Sequence, residues 1–136
     1  MNYRNDKYGN PLSILGFGCM RFQQAKGRID LEEAERESME AYRGGVNYFD
    51  TSPVYCRGES ENALGTALAH SGYSRGDYVI ATKLSNFSPT HYSLDACKRM
   101  FASKILRSYG NDHGTVCIFS CSGMITHTIH GSHSFY

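Results

Sequence analysis

Apolar positions along the chain fall into short runs whose spacing switches between strand-like and helical. Ser13 to Phe17, after the Gly-Asn-Pro turn signal of "KYGNPLSILGFG", reads as a short apolar strand, and the preceding "NYRNDKY" can pair with part of it as a small hairpin. "RIDLEEAERESMEAYRGG" carries helix punctuation at both ends. Asp30 suits an N-cap with Glu33 three residues on, and Gly44–Gly45 supplies the stop. Leu31, Ala34, Ser38 and Ala41 recur at helical spacing, with Met39 and Tyr42 beside them, against a face rich in Glu and Arg.

Val46–Asp50 is the next predicted strand. A second helix follows in "ESENALGTALAHSG", with Ala63, Leu64, Ala67 and Leu68 as its buried stripe. "DYVIATKL" is a compact apolar strand suited to burial on both faces. "SLDACKRMFASKILRSYG" reads as a third helix and "TVCIF" as a fourth strand. The order strand, helix, strand, helix, strand, helix, strand predicts an α/β fold of right-handed βαβ units on a parallel sheet. Beyond Ser120 the pattern collapses: "SCSGMITHTIHGSHSFY" has no helical period and no Lys, Arg, Asp or Glu. The chain therefore divides into a patterned domain, 1–120, and an unpatterned tail, 121–136, expected to be disordered or an out-of-frame product of a longer gene.

Composition sets the class. The chain has 136 residues, 40% hydrophobic and 20% charged, with a net charge of +1 and charges of both signs interspersed. That length supports one domain with a real core. No basic stripe points to nucleic acid, and no apolar run approaches the ~20 residues that span a bilayer. The N-terminus "MNYRNDKYGN" lacks the apolar segment of a signal peptide, so the expected location is cytoplasmic. Five scattered cysteines with no Cys-x-x-Cys pair read as reduced structural thiols. His127, His130 and His133 have no nearby carboxylate or cysteine to complete a set, so no metal site is expected.

Candidate chemistry sits where strands end. Asp50, Lys83 and Ser120 close three of the four predicted strands. In a parallel sheet those ends share one face, the face that carries function in α/β barrels and open sheets. Tyr55 lies in the loop after Asp50 and can fold back over it. A free phenol has a pKa of ~10, too high for ready proton exchange at neutral pH. A neighbouring ammonium favours the phenolate, and a carboxylate beside the ammonium keeps it charged and in place. Tyr, Lys and Asp thus suit protonation of an alkoxide forming from a carbonyl. The same Asp–Lys pair also suits a purely structural ion pair in an unrelated open α/β domain.

Four segments in order, "LGFGCMRF", "GVNYFDTSPVY", "GESENALGTAL" and "YVIATKL", resemble the first half of the aldo-keto reductases, from about Ser13 to about Asp112. The resemblance implies the early part of a parallel (β/α)₈ barrel of TIM type: roughly four strands and three helices, with an N-terminal β-hairpin. It implies an NADPH- or NADH-dependent oxidoreductase that reduces aldehydes or ketones. Carried over, Tyr55 is the proton donor, Lys83 tunes it, and Asp50 supports Lys83. The backbone at Gly18, Cys19 and Met20, together with Asp50, corresponds to a segment that faces the cofactor. Ser120 stands where the family usually has a histidine that orients the carbonyl, and a serine hydroxyl supplies one hydrogen bond without charge.

A barrel of this type takes ~200 residues or more. Four strands leave edges exposed, which favours self-association, and the chain alone is expected to be inactive. The partner class is a small carbonyl substrate, with no nucleic acid or membrane. The alternative is a non-catalytic module that senses a nicotinamide cofactor or binds a partner on the same fold.

Overall fold

The computed structural model describes residues 1–84, Asp95 and Arg99, and the backbone of 116–120 and 127–129. An antiparallel hairpin opens the chain: β1 (Tyr3–Asn5) pairs with β2 (Pro11–Ser13), Tyr3 opposite Ser13. Its turn is held by the Asp6 carboxylate, which accepts from the backbone N–H groups of Tyr8 and Asn10 at 2.8 and 2.9 Å. The hairpin docks on Asn47, whose side chain accepts from the Ser13 N–H at 2.8 Å and donates to the Pro11 carbonyl at 2.8 Å. Asn47 immediately precedes a strand, so the hairpin sits at the amino end of the sheet.

Among the described residues the sheet has five strands in the order β3 (Phe17–Gly18), β6 (Tyr48–Asp50), β7 (Val79–Leu84), β8 (Val116–Ser120) and β9 (His127–Ile129). The first three junctions are parallel, and each major strand lies beside its predecessor in sequence. Such steady progression, with no reversal of order, is the geometry of a barrel wall. Between β3 and β6 lie a small antiparallel hairpin, β4 (Gln24–Ala25) with β5 (Arg28–Ile29), and helix α1 (Leu31–Arg43). Between β6 and β7 lies helix α2 (Ser60–His70).

Local chemistry explains the helix limits. Asp30 accepts from the Glu33 N–H at 3.2 Å at the start of α1, and Gly45, with φ +94°, ends it in a conformation that favours glycine. On α2 the expected stripe, Ala63, Leu64, Ala67 and Leu68, is buried. On α1, Ala34, Ser38 and Met39 are buried, but Leu31 is 57% exposed. The core joins these helices to Cys19, Phe22, Phe49, Tyr78 and Ile80, with Phe49 edge-on to both Phe17 and Tyr78. Val79 through Thr82 are all buried, as a strand covered on both faces requires.

Three differences from the sequence pattern stand out. The strand expected over Ser13–Phe17 is split, because Ser13 pairs with β1 and its hydroxyl donates to the Leu15 carbonyl at 2.7 Å, bending the chain. Ile14 and Leu15 are consequently each 60% exposed. The β4–β5 hairpin, with Lys26 and Gly27 at positive φ in its turn, was not expected at all. Inside the 121–136 tail, His127–Ile129 forms β9, antiparallel to β8, with Ile129 opposite Val116. β8 therefore has a neighbour on its outer side. The third helix expected over 93–110 lies outside the described residues, apart from Asp95 and Arg99, which are helical. Among the described residues no helix is long and apolar enough to cross a membrane.

Candidate active site

Strand register sets the site. Asp50 lies opposite Ala81, so two residues further along β7, on the same face, comes Lys83. The long lysine side chain reaches back across that step. Its Nζ donates to both Asp50 carboxylate oxygens, at 2.7 and 2.8 Å, and to the Thr51 carbonyl at 3.1 Å. Those bonds use all three ammonium protons. The Lys83 side chain is 24% exposed and that of Asp50 36%, so the pair sits at the rim of the sheet.

Tyr55 begins a tight turn, Tyr55–Gly58, and its ring lies over Lys83, with Nζ 4.8 Å from the ring centroid. The ammonium thus lies against the phenol while it donates to Asp50 and Thr51. Burial by itself would lower the Lys83 pKa, but Asp50 and Tyr55 outweigh it and hold the ammonium above the usual lysine range. The structure therefore assembles Asp50, Lys83 and Tyr55 as one cluster.

The remaining sequence candidates surround that cluster unevenly. Gly18 is paired with Asp50 in register, and a side chain built on it would meet nothing within 4 Å. Met20 is 55% exposed. Cys19 differs: its side chain is fully buried in the core, and burial, reinforced by Asp50 and Cys56, pushes its thiol far above the ordinary range. Only its backbone can face a ligand. Ser120 is the last residue of β8 and is paired with Leu84, so its backbone reaches the same edge as Lys83; its side chain lies outside the described residues.

Sequence reasoning passed over the supports of this cluster. The loop carrying Tyr55 is pinched at its base, where the buried Thr51 and Ser60 hydroxyls meet at 2.9 Å. Ser60 also donates to the Cys19 carbonyl at 2.8 Å, joining β6, α2 and the turn after β3. Thr82, fully buried beside Lys83, donates to the Glu61 carboxylate. "DTSP" and "GESE" held the signal, since small hydroxyl residues flanking a loop readily bridge its ends. Among the described residues no group of three His, Cys, Asp or Glu side chains could hold a metal ion.

Residues 14–113 match the sequence profile of the Aldo/keto reductase family. L-galactose dehydrogenase of Arabidopsis thaliana is 37% identical over 79 residues, which is 58% of this chain and 25% of that protein. The crystal structure of an aldo/keto reductase from Brucella melitensis superposes with a TM-score of 0.58 at 26% identity, over 85% of this chain and 39% of that one. An aldo-keto reductase from Bacillus halodurans, in its holo form, shares the fold with a TM-score of 0.54 at 20% identity, over 89% of this chain and 51% of that one. The chain thus spans between a quarter and about half of the length of these relatives.

Proposed function

The chain belongs to the aldo/keto reductase family, and from that premise we propose that it carries the proton-donor half of an NAD(P)H-dependent carbonyl reductase site. The observation that supports this most is the Lys83 ammonium, shared between the Asp50 carboxylate and the Tyr55 ring. In this reading Tyr55 gives its hydroxyl proton to the substrate oxygen as that oxygen becomes an alkoxide. Lys83 supplies positive charge to the phenol as the proton leaves. Asp50, gripping the ammonium at both oxygens, keeps it charged and keeps it from swinging into solvent. Partial burial strengthens each of these interactions relative to water.

The open space at Gly18, which is paired with Asp50, and the exposed Met20 side chain two residues on suit a flat nicotinamide ring. When bound, the nicotinamide supplies the hydride. The substrate is an aldehyde or ketone, and Ser120 offers its carbonyl at most one uncharged hydrogen bond from the position next along the sheet edge.

Because the chain spans at most about half of its relatives, the 136-residue protein by itself is inactive in this reading. NADPH and NADH oxidation with a broad aldehyde panel tests that directly, and turnover that depends on Tyr55 would overturn it. The role of Tyr55 is tested in a chimera with 1–120 in place of the matching segment of the Brucella melitensis enzyme. Tyr55→Phe there is expected to cut kcat by about 10²- to 10⁴-fold while cofactor binding survives. The serine at position 120 also favours a second reading, a non-catalytic module that binds nicotinamide cofactor or a partner. Cofactor binding with an inactive chimera is its signature.

A further inference from the structure

We infer that Glu59 is a positioning residue for Tyr55, acting by fastening the β4–β5 hairpin to the loop that carries the phenol. Its Oε2 accepts from the Ile29 backbone N–H at 3.1 Å, and its Oε1 accepts from Arg28 Nε at 2.8 Å. Ile29 is buried and leads directly into α1, so its amide is a fixed point. Between Tyr55 and Glu59 the backbone is left-handed at three consecutive residues: Cys56 (φ 49°), Arg57 (φ 57°) and Gly58 (φ 90°). Residues with a side chain avoid that region, and a run of them persists only when the surroundings over-determine it.

The surroundings here are the hairpin and the turn before it. The Arg57 guanidinium donates to the Gly27 carbonyl at 3.4 Å, a long contact, and the Cys56 thiol, a weak donor, to the Met20 carbonyl at 3.3 Å. Glu59 supplies the shorter charge-assisted bonds of the set and also starts α2, accepting from the Ala63 N–H through its backbone carbonyl at 3.0 Å. The two bonds of its carboxylate are not equal. Arg28 is 81% exposed on its side chain, so water competes for that ion pair, whereas the Ile29 amide is shielded. The hydrogen bond to Ile29 therefore sets the loop, and the pairing with Arg28 follows. Without it the left-handed run relaxes and the Tyr55 ring leaves the Lys83 ammonium.

The inference rests on Tyr55 as the proton donor, and its test needs no turnover, so failure of one is distinguishable from failure of the other. 3-Fluorotyrosine is placed singly at position 55, 42 or 78 of the 136-residue chain and read by fluorine NMR. Glu59→Ala and Glu59→Asp, the latter withdrawing the carboxylate by one methylene, are expected to shift the Tyr55 signal toward its position in the denatured chain. Glu59→Gln keeps an acceptor for Ile29 and is expected to restore it. The signals of Tyr42 on α1 and Tyr78 before β7 are expected to stay in place. A Tyr55 signal unmoved in both variants, or all three signals moving together as general loosening would produce, overturns the inference. Should Glu59→Ala not fold, Glu59→Asp decides by the same criterion.

Discussion

Lys83 and Asp50 form a two-pronged ion pair across adjacent parallel strands, with Nζ 2.7 and 2.8 Å from the two carboxylate oxygens. The same ammonium covers the Thr51 carbonyl at 3.1 Å, so one side chain satisfies three acceptors at the sheet rim. Lys83→Met leaves all three to water. Because the Asp50 side chain is 36% exposed, hydration recovers much of the loss. The expected destabilisation is about 1–2 kcal/mol, at the low end for hydrogen bonds to charged groups. Asp50→Asn, which still offers one oxygen, is expected to cost less. Urea unfolding followed by circular dichroism measures both, and a larger loss for Asp50→Asn would contradict this assignment of bonds.

The pH dependence follows from the same pair. The folded-state pKa of Lys83 is raised, with Asp50 and Tyr55 outweighing the opposing effect of burial. Its stabilising contribution is therefore complete below the unfolded value of ~10.4 and is lost as pH rises through the folded value. Stability of the wild-type chain is expected to fall more steeply above pH ~10.4 than that of Lys83→Met. Comparing the two chains isolates Lys83 together with its coupling to Asp50 and Tyr55. Parallel curves for the two would show that the pair does not stabilise the fold.

The buried hydroxyl bridge makes an asymmetric prediction. Ser60 both meets Thr51 at 2.9 Å and donates to the Cys19 carbonyl at 2.8 Å, and all three residues are fully buried. Ser60→Ala strands the Thr51 hydroxyl and the Cys19 carbonyl together, at an expected cost of about 2–3 kcal/mol. Thr51→Val keeps the shape and leaves Ser60 its bond to Cys19, so about 1 kcal/mol is expected. The double variant is expected to cost less than the sum, since the shared bond is lost only once. Strict additivity in thermal or urea unfolding would remove the bridge from the account.

The sheet, both described helices and the grouping of Asp50, Lys83 and Tyr55 were legible in the sequence because each rests on a strong local signal. Asp30 and Gly45 punctuate α1, the Ala63, Leu64, Ala67 and Leu68 stripe marks α2, and a polar residue closing an apolar strand marks the face where chemistry gathers. What it hid depends on contacts distant in sequence. Ile14 and Leu15 look like strand interior, but Ser13 is captured by Asn47, 34 residues on, and the chain turns away. β4 and β5 are two residues each, too short for an alternating period. Glu59 reads as one more surface carboxylate in "GESE", and its partner amide lies 30 residues earlier. β9 is three residues long with one apolar position, Ile129, and is recognisable by its pairing with β8.

Ile14 and Leu15 carry a last prediction, about self-association. They lie between β2 and β3, each 60% exposed, and β3 is an outer strand of the described sheet. Adjacent apolar side chains beside an open strand edge form a ready contact for a second chain. We propose that the 136-residue protein associates with itself through this edge, with a sedimentation coefficient that rises with concentration. Ile14→Lys together with Leu15→Lys adds charge where neither side chain is buried. That double variant is expected to shift the protein toward monomer with little loss of stability, since surface substitutions usually stay within about 0.5 kcal/mol. Unchanged association in the double variant would place the contact elsewhere on the molecule, and a monomer at all concentrations in the parent chain would abolish it.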